Sequence, residues 1–282
     1  MKAFLECTTC IIRQTMEILQ RLVDNEKKRE TILRQVLLAL SKLEITSLSP
    51  PELTRQVHIV LQKMIGQKDL YKELKKQSNQ EVLELYPALK KEVKISKDPL
   101  LTAIRLAIAG NVIDFGALHR FDLDSTIKKV LTAKLPKNDY DKLKQILGQG
   151  RKKILYVGDN AGEIVFDRVL IEELNKAAEV TFAVKSKPSL NDVMMEDAEQ
   201  VGLDKICKVI ESGSTTPGTV WSETTPEFRR IYHEADIVIV KGQGGYETIE
   251  NEKGKTFYLL IVKCPHLAIS MQRKLGDLIL CN

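Results

Sequence analysis

The run GDNAGE, residues 158–163, follows the apolar stretch KILYV and sets an acid, Asp159, directly before an amide, Asn160. Adjacent side-chain oxygens at a strand end, joined by the carboxylate of Asp192 from KPSLND, offer part of an octahedral shell to a hard divalent cation, leaving positions for water and phosphate. A second reading is structural, with Asp159 capping a helix, Asn160 filling a turn and Asp192 capping after Pro188. The run KGQGGYE, residues 241–247, points to an anion site, because Gly242, Gly244 and Gly245 let backbone N–H groups approach closely while Lys241 adds a point charge. Phosphate suits such a loop, and an ordinary turn explains the glycines equally well. If both readings hold, acids and a bound anion share a crevice, and a cation between them removes the repulsion. Neither GxxxxGK[ST] nor GxGxxG opening a long helix is present, which weakens nucleotide readings.

Other polar residues sit where a crevice wall would be. Glu163 stands at a helix start, where the dipole favours its charge, and it either faces the crevice or completes a cap. Asp167, one turn on, shares that face and is expected to be solvated or paired. In AIAGNVIDFG, Asn111 and Asp114 interrupt an apolar helix, either bracing a junction or walling the crevice. Cys7 and Cys10 form a CTTC pair. A four-ligand zinc site with Cys264 and His266 requires KCPH to come round to the amino terminus, and reduced thiols are the preferred reading. His58, His119 and His233 stand alone and are expected at the surface or with satisfied nitrogens.

Two patterns must position these residues. Through residue 150, segments such as IIRQTMEILQRLV and PLLTAIRLAIAG carry apolar residues three and four apart, the period of a helix, and SLSPPEL and ISKDP carry cap and turn residues. The charge-rich DLYKELKKQSNQEVLELYPALKKEV reads as a solvated helical pair. From residue 151 the apolar runs KILYV, EVTFAV, KVI, DIVIV and TFYLLIV alternate with helical stretches, the pattern of a parallel sheet covered on both faces, and DLILCN adds a last strand. The expectation is an α/β protein: an all-helical amino-terminal domain, residues 1–150, and a Rossmann-like, mostly parallel sheet domain, residues 151–282. The loops that leave the strands support a site: GDNAGE, KSKPSLND, ESGSTTPGT, KGQGGYE and KCPH gather acids, amides, glycines and lysines, Lys185 and Lys263 included, at the carboxyl edge where open α/β sheets bind ligands.

Composition narrows the class. The 282 residues are 43% hydrophobic and 29% charged, with a net charge of +5 spread along the chain, and nothing suggests a nucleic-acid surface. No apolar run spans a membrane, the start lacks signal-peptide zones, and five cysteines read as reduced thiols, so a cytoplasmic protein is expected. Nothing in the sequence points to an oligomeric state.

Taken together, GDNAGEIVFD, KPSLNDVMMEDA, KGQGGYE, VKCP, AIAGNVIDFG and CTTC, spread over nearly the whole chain, resemble the metal-dependent damage-control phosphatase family, in its prokaryotic cysteine-containing branch. The family is related to proteins once called acidic-residue methyltransferases. The resemblance implies hydrolysis of small phosphorylated metabolites, sugar phosphates among them, with a divalent transition metal held by Asp159, Asn160 and Asp192. It also implies that Lys241 to Glu247 hold the phosphate and part of the substrate, and that Asp159 or Glu163 orients the attacking water. The arginine-threonine-any-lysine motif of eukaryotic relatives is absent, so their substrate preference does not carry over. A phospho-aspartate route through Asp159 lacks its DxD partner, since Ala161 occupies that place. Two rivals remain. A methyltransferase using S-adenosylmethionine needs a ribose-holding acid where Lys185 stands, and a non-catalytic phosphometabolite-binding protein needs no metal ligands in the crevice.

Overall fold

The protein is described from a computed structural model that covers residues 1–111, 131–132, 135, 137–249 and 254–282, with the side chains of residues 137 and 138 left aside. Helices α1 (Cys7–Leu22), α2 (Glu26–Leu40) and α3 (Pro50–Ile65) come first. In α1 the buried Ile11, Thr15, Ile18 and Leu19 fall on one stripe, as the helical period requires. SLSPPEL starts α3 as its residue types dictate: Ser49 and Glu52 form a reciprocal capping box, and prolines occupy the first turn, where no N–H is needed. These helices close on a core of their own that includes Leu19, Ile32, Val36, Leu53, Val57 and Leu61.

Helices α4 (Lys72–Leu83), α5 (Tyr86–Ile95) and α6 (Pro99–Gly110) come next. In α6 every residue from Leu106 to Gly110 is buried, the mark of a helix covered all round. Its main neighbour is α8 (Glu163–Leu174), which lies on the sheet. The pair α4 and α5 is not the solvated pair its charge suggests, because Lys75, Ser78, Asn79, Val82, Leu89 and Val93 turn inward.

The 7-stranded sheet has the order β1-β7-β6-β5-β2-β3-β4. Its strands are β1 (Lys137–Asn138), β2 (Lys152–Val157), β3 (Ala178–Val184), β4 (Lys208–Glu211), β5 (Ile237–Lys241), β6 (Thr256–Ile261) and β7 (Leu278–Cys281). All neighbours run parallel except β6 and β7, so DLILCN, with β1 parallel beside it, runs against the other five strands. Short helices complete the chain: α7 (Tyr140–Leu147), α9 (Met195–Gln200), α10 (Pro226–Glu234), α11 (Gly242–Thr248) and α12 (Pro265–Met271).

Packing divides the chain elsewhere than the change of pattern at residue 150. One hydrophobic cluster joins Val82, Leu89, Leu106 and Leu143 to Tyr156, Phe166, Phe182 and Leu259, and β1 already belongs to the sheet. Helices α4 to α7 therefore cover one face of the sheet together with α8, while α10 and α12 cover the other. A helix's own sequence states that it has an apolar face, and cannot state which partner buries it.

Strand order reverses at the β2–β5 junction, since β2 continues to β3 on one side and pairs with β5 on the other. That is the switch point where a crevice opens beyond the strand ends.

Candidate active site

Val157 of β2 lies opposite Val240 of β5, so the turns that leave these strands start side by side. Gly242 takes φ +73°, and a Cβ there would come within 1.8 Å of Asp159 Oδ2. The carboxylate of Asp159 thus rests on bare backbone, which explains a glycine at this position on grounds of space and conformation alike.

The next turn supplies Asp192. A β-bridge pairs Asn160 with Asp192 in antiparallel sense; beside it the N–H of Val193 donates to Asp159 O at 2.9 Å and the N–H of Ala161 to Asn191 O at 2.9 Å. The chain reaches this bridge through Leu190, a non-glycine residue at φ +50°, in the left-handed region that such side chains seldom adopt. Asp192, far from Asp159 and Asn160 in sequence, is joined to them by the shortest unit of sheet.

Below them lies a buried layer of alternating charge. Asn111, at the end of α6, donates through Nδ2 to Asp159 Oδ2 at 2.9 Å and to Glu163 Oε2 at 3.0 Å, and Asn160 Nδ2 reaches the same Glu163 oxygen at 3.2 Å. Lys241 Nζ donates to Glu163 Oε1, to Asp167 Oδ1 at 2.7 Å and to the carbonyl of Ala107 at 2.8 Å. An ammonium has three hydrogens, and all are used here. The expectation that Lys241 holds phosphate therefore gives way to another role: it neutralises Glu163 and Asp167 from beneath. Tyr156 adds a hydroxyl to Asp167 at 2.7 Å, so Asp167 is paired and buried.

Negative charge is in excess. Burial, followed by the charges of Glu163 and Asp192, pushes the carboxyl of Asp159 well above the usual range. Burial likewise lifts Asp192 to about 6, against the pull of Lys185, whose Nζ stands 3.4 Å from Oδ2. That oxygen and Asn111 Oδ1 are buried without a hydrogen-bond partner among the described residues. Crowded carboxylates, an amide beside them and a buried carboxylate oxygen without a hydrogen bond fit a hard divalent cation, which prefers oxygen ligands. Among the described residues no three His, Cys, Asp or Glu side chains are placed as a metal cage, so the candidate ligands are two carboxylates and the amide of Asn160.

Other expected residues separate. Lys185 is buried, giving its ammonium to Thr216 O at 2.8 Å and pairing with Asp192, so it braces that carboxylate instead of facing open space. Lys263 lines the cleft. Gly244 packs against the backbone of Gly218, and a Cβ on Gly245 would strike Val240 at 2.5 Å; both let α11 pack closely on its neighbours. Glu247 accepts from Gln243 Nε2 at 2.7 Å and lines a separate cavity beside Met1 and Trp221, away from Asp159. Asp114 and His119 lie outside the described residues. His58 is neither at the surface nor satisfied, being buried with no partner for either ring nitrogen among the described residues. KCPH does come round to the amino terminus, where His266 stacks on Phe4 with ring centres 4.0 Å apart and its Nε2 lies 3.3 Å from Glu6. The cysteines are free thiols, and burial raises the pKa of Cys7.

Over the site opens a cleft of about 740 Å³ whose walls include Gln14, Glu17 and Arg21 of α1, Tyr71, and Lys75 and Ser78 of α4, facing Asn111, Asn160, Glu163 and Lys263. Sequence reading missed the helical wall. Its signal was there: Gln14, Glu17 and Arg21, and again Lys75, Ser78 and Asn79, are spaced so that each set shares one helix face.

Fold and site together define a Rossmann-like α/β protein with an acidic, oxygen-rich crevice at its switch point. The sequence pattern of the damage-control phosphatase ARMT1-like domain matches residues 3–279, and the chain belongs to that family. It is 33% identical over 287 residues to a damage-control phosphatase of Pyrococcus horikoshii, covering 99% of this chain and 97% of that one. An uncharacterized protein of Methanocaldococcus jannaschii is 34% identical over 285 residues, 98% of this chain and 93% of its own. Among solved structures, a DUF89-family protein of Pyrococcus horikoshii superposes with a TM-score of 0.92 at 32% identity, over 100% of this chain and 99% of that one.

Proposed function

We propose that the protein is a metal-dependent phosphatase that hydrolyses small phosphorylated metabolites, sugar-phosphate-like monoesters in particular, in a damage-control role. The observation that carries this reading is the backbone bridge that sets Asp159 and Asn160 against Asp192 beneath the cleft. These three side chains would hold a divalent cation: manganese, cobalt, nickel or magnesium. When bound, such an ion supplies Lewis acidity toward a phosphoryl oxygen and toward water.

The protein's own groups do the rest. Glu163 lines the cleft, with one oxygen anchored by Lys241 and the other held by Asn111 and Asn160, so it is fixed where it can take the proton of an attacking water. The water oxygen bonds to phosphorus, the ester oxygen leaves, and the departing alcohol takes up a proton. Lys263, in the cleft wall, would meet a phosphate, while Lys75 in the same wall is taken up by Asp69 and Asp197. The polar walls contributed by Gln14, Glu17 and Ser78 suit a hydroxylated remainder. A methyltransferase reading is disfavoured, because the position for a ribose-holding acid is Lys185, buried on Asp192.

Metal-stripped protein should release phosphate from an aryl phosphate and from a panel of sugar phosphates after manganese, cobalt, nickel or magnesium is added. Asp159→Ala and Asp192→Ala should abolish release while remaining folded by circular dichroism. Folded wild type that stays inactive with every metal would overturn the proposal.

A further inference from the structure

Helix α8 starts from Gly162, at φ +79° and ψ −54°, with no side-chain cap from its own terminus. Its first free amide is answered from another layer: the N–H of Gly162 donates to Asn79 Oδ1 of α4 at 2.6 Å. Asn79 is wholly buried. Its Nδ2 donates to Asp197 Oδ1 at 2.9 Å and to Gln200 Oε1 at 3.0 Å. Asp197 Oδ2 accepts in turn from the N–H of Met194 at 2.9 Å and from Lys75 Nζ at 3.3 Å, and Lys75 also pairs with Asp69 at 3.1 Å.

One amide therefore grips both halves of the candidate site. Through Gly162 it fixes the turn that carries Asp159 and Asn160, and through Asp197 and Met194 it fixes the segment just beyond Asp192. An apolar side chain at residue 79 would fill the same space at lower cost of desolvation if the helix had only to pack. A polar cluster that must be fully paired, and whose bonds end on the two ligand-bearing segments, is instead a device for geometry.

We infer that Asn79 is a positioning residue, setting the distance between the Asp159–Asn160 turn and Asp192 by its hydrogen bonds to Gly162 and Asp197. Its effect on turnover rests on the phosphatase reading; its grip on the turn does not.

Hydrogen exchange at the Gly162 amide and metal-activated hydrolysis of an aryl phosphate would be compared in wild type, Asn79→Ala, and the double variant Asn79→Asp with Asp197→Asn. The double variant keeps the acceptor for Gly162 and the net charge while reversing the bond between the two side chains, and the amide of Gln200 turns so that its Nε2 donates to residue 79. Asn79→Ala should speed Gly162 exchange and lower kcat by about tenfold or more, with KM changed by less than about threefold, and the double variant should restore both readings to within about threefold. Wild-type exchange and kcat in Asn79→Ala would overturn the inference, as would a folded double variant no better than Asn79→Ala. If Asn79→Ala does not fold, the double variant alone decides by the same two readings. If wild type shows no turnover, the phosphatase proposal fails, and Gly162 exchange still decides the role of Asn79.

Discussion

Gly242 leaves no room for a side chain beside Asp159. A methyl group on residue 242 would have to occupy the space of Asp159 Oδ2, at a φ of +73° that already disfavours any side chain. The carboxylate can yield only by swinging away from Asn111, its partner at 2.9 Å. Gly242→Ala should therefore cost about 100-fold or more in kcat/KM, the scale on which a shift of about 1 Å in a catalytic group is felt. Far-ultraviolet circular dichroism should be unchanged, because the sheet behind the turn keeps its registers. A variant with wild-type kcat/KM would show that the seat of Asp159 does not matter.

At the level of elements, the decisive junction is where β5, α6 and α8 meet. Helix α8 presents Glu163 and Asp167, one turn apart, to the protein interior, and β5 answers with Lys241, whose third hydrogen goes to the carbonyl of Ala107 in α6. Burial alone would weaken the charge on Lys241, yet Asp167 and Glu163 outweigh it and hold its pKa above the ordinary lysine value. Lys241→Met keeps the volume and removes the charge, stranding both carboxylates. Unfolding in urea at pH 7 should show a loss of about 3–5 kcal/mol, the cost of breaking a buried pair on one side. A loss below about 1 kcal/mol, the level of an exposed pair, would mean that the two carboxylates do not depend on Lys241. The sequence made part of this junction legible. Strand ends rich in acids and glycines located the crevice, and Asp159, Asn160, Glu163 and Asp192 are gathered at that edge as their positions suggested. In the sequence Lys241 looks like an anion ligand, because a strand-end lysine before glycines carries no mark of what lies under it. Likewise the inward face of α4 was hidden by charge: Lys75 looks like a surface residue until Asp69 and Asp197, one of them far along the chain, arrive to pair with it.

Across the whole molecule, the helices α1 to α3 form a core separate from the sheet, and buried with it is an ionisable group, His58, on which the pull of Asp69 is outweighed. Burial, with Arg55 adding to it, lowers the pKa of His58 to about 4 from an ordinary 6.5. Between these values the unfolded chain binds a proton that the folded chain refuses, so the contribution of His58 to stability falls as pH drops from about 6.5 toward 4. A shift of this size amounts to about 3 kcal/mol when the window has been fully crossed. Asp167, whose carboxyl burial pushes up to about 6, works in the opposite sense over much of the same window: the folded state takes up its proton first and gains stability as pH falls. Asp159 and Asp192, also raised by burial, act in the same sense as Asp167, so wild-type stability against pH is a sum that cannot isolate any one group. His58→Phe can, because the ring is retained and the titration removed. The stability of His58→Phe relative to wild type, from denaturant unfolding at a series of pH values, should rise by about 3 kcal/mol between pH 7 and pH 4. A flat difference would mean that His58 takes up its proton in the folded protein as readily as in the unfolded chain.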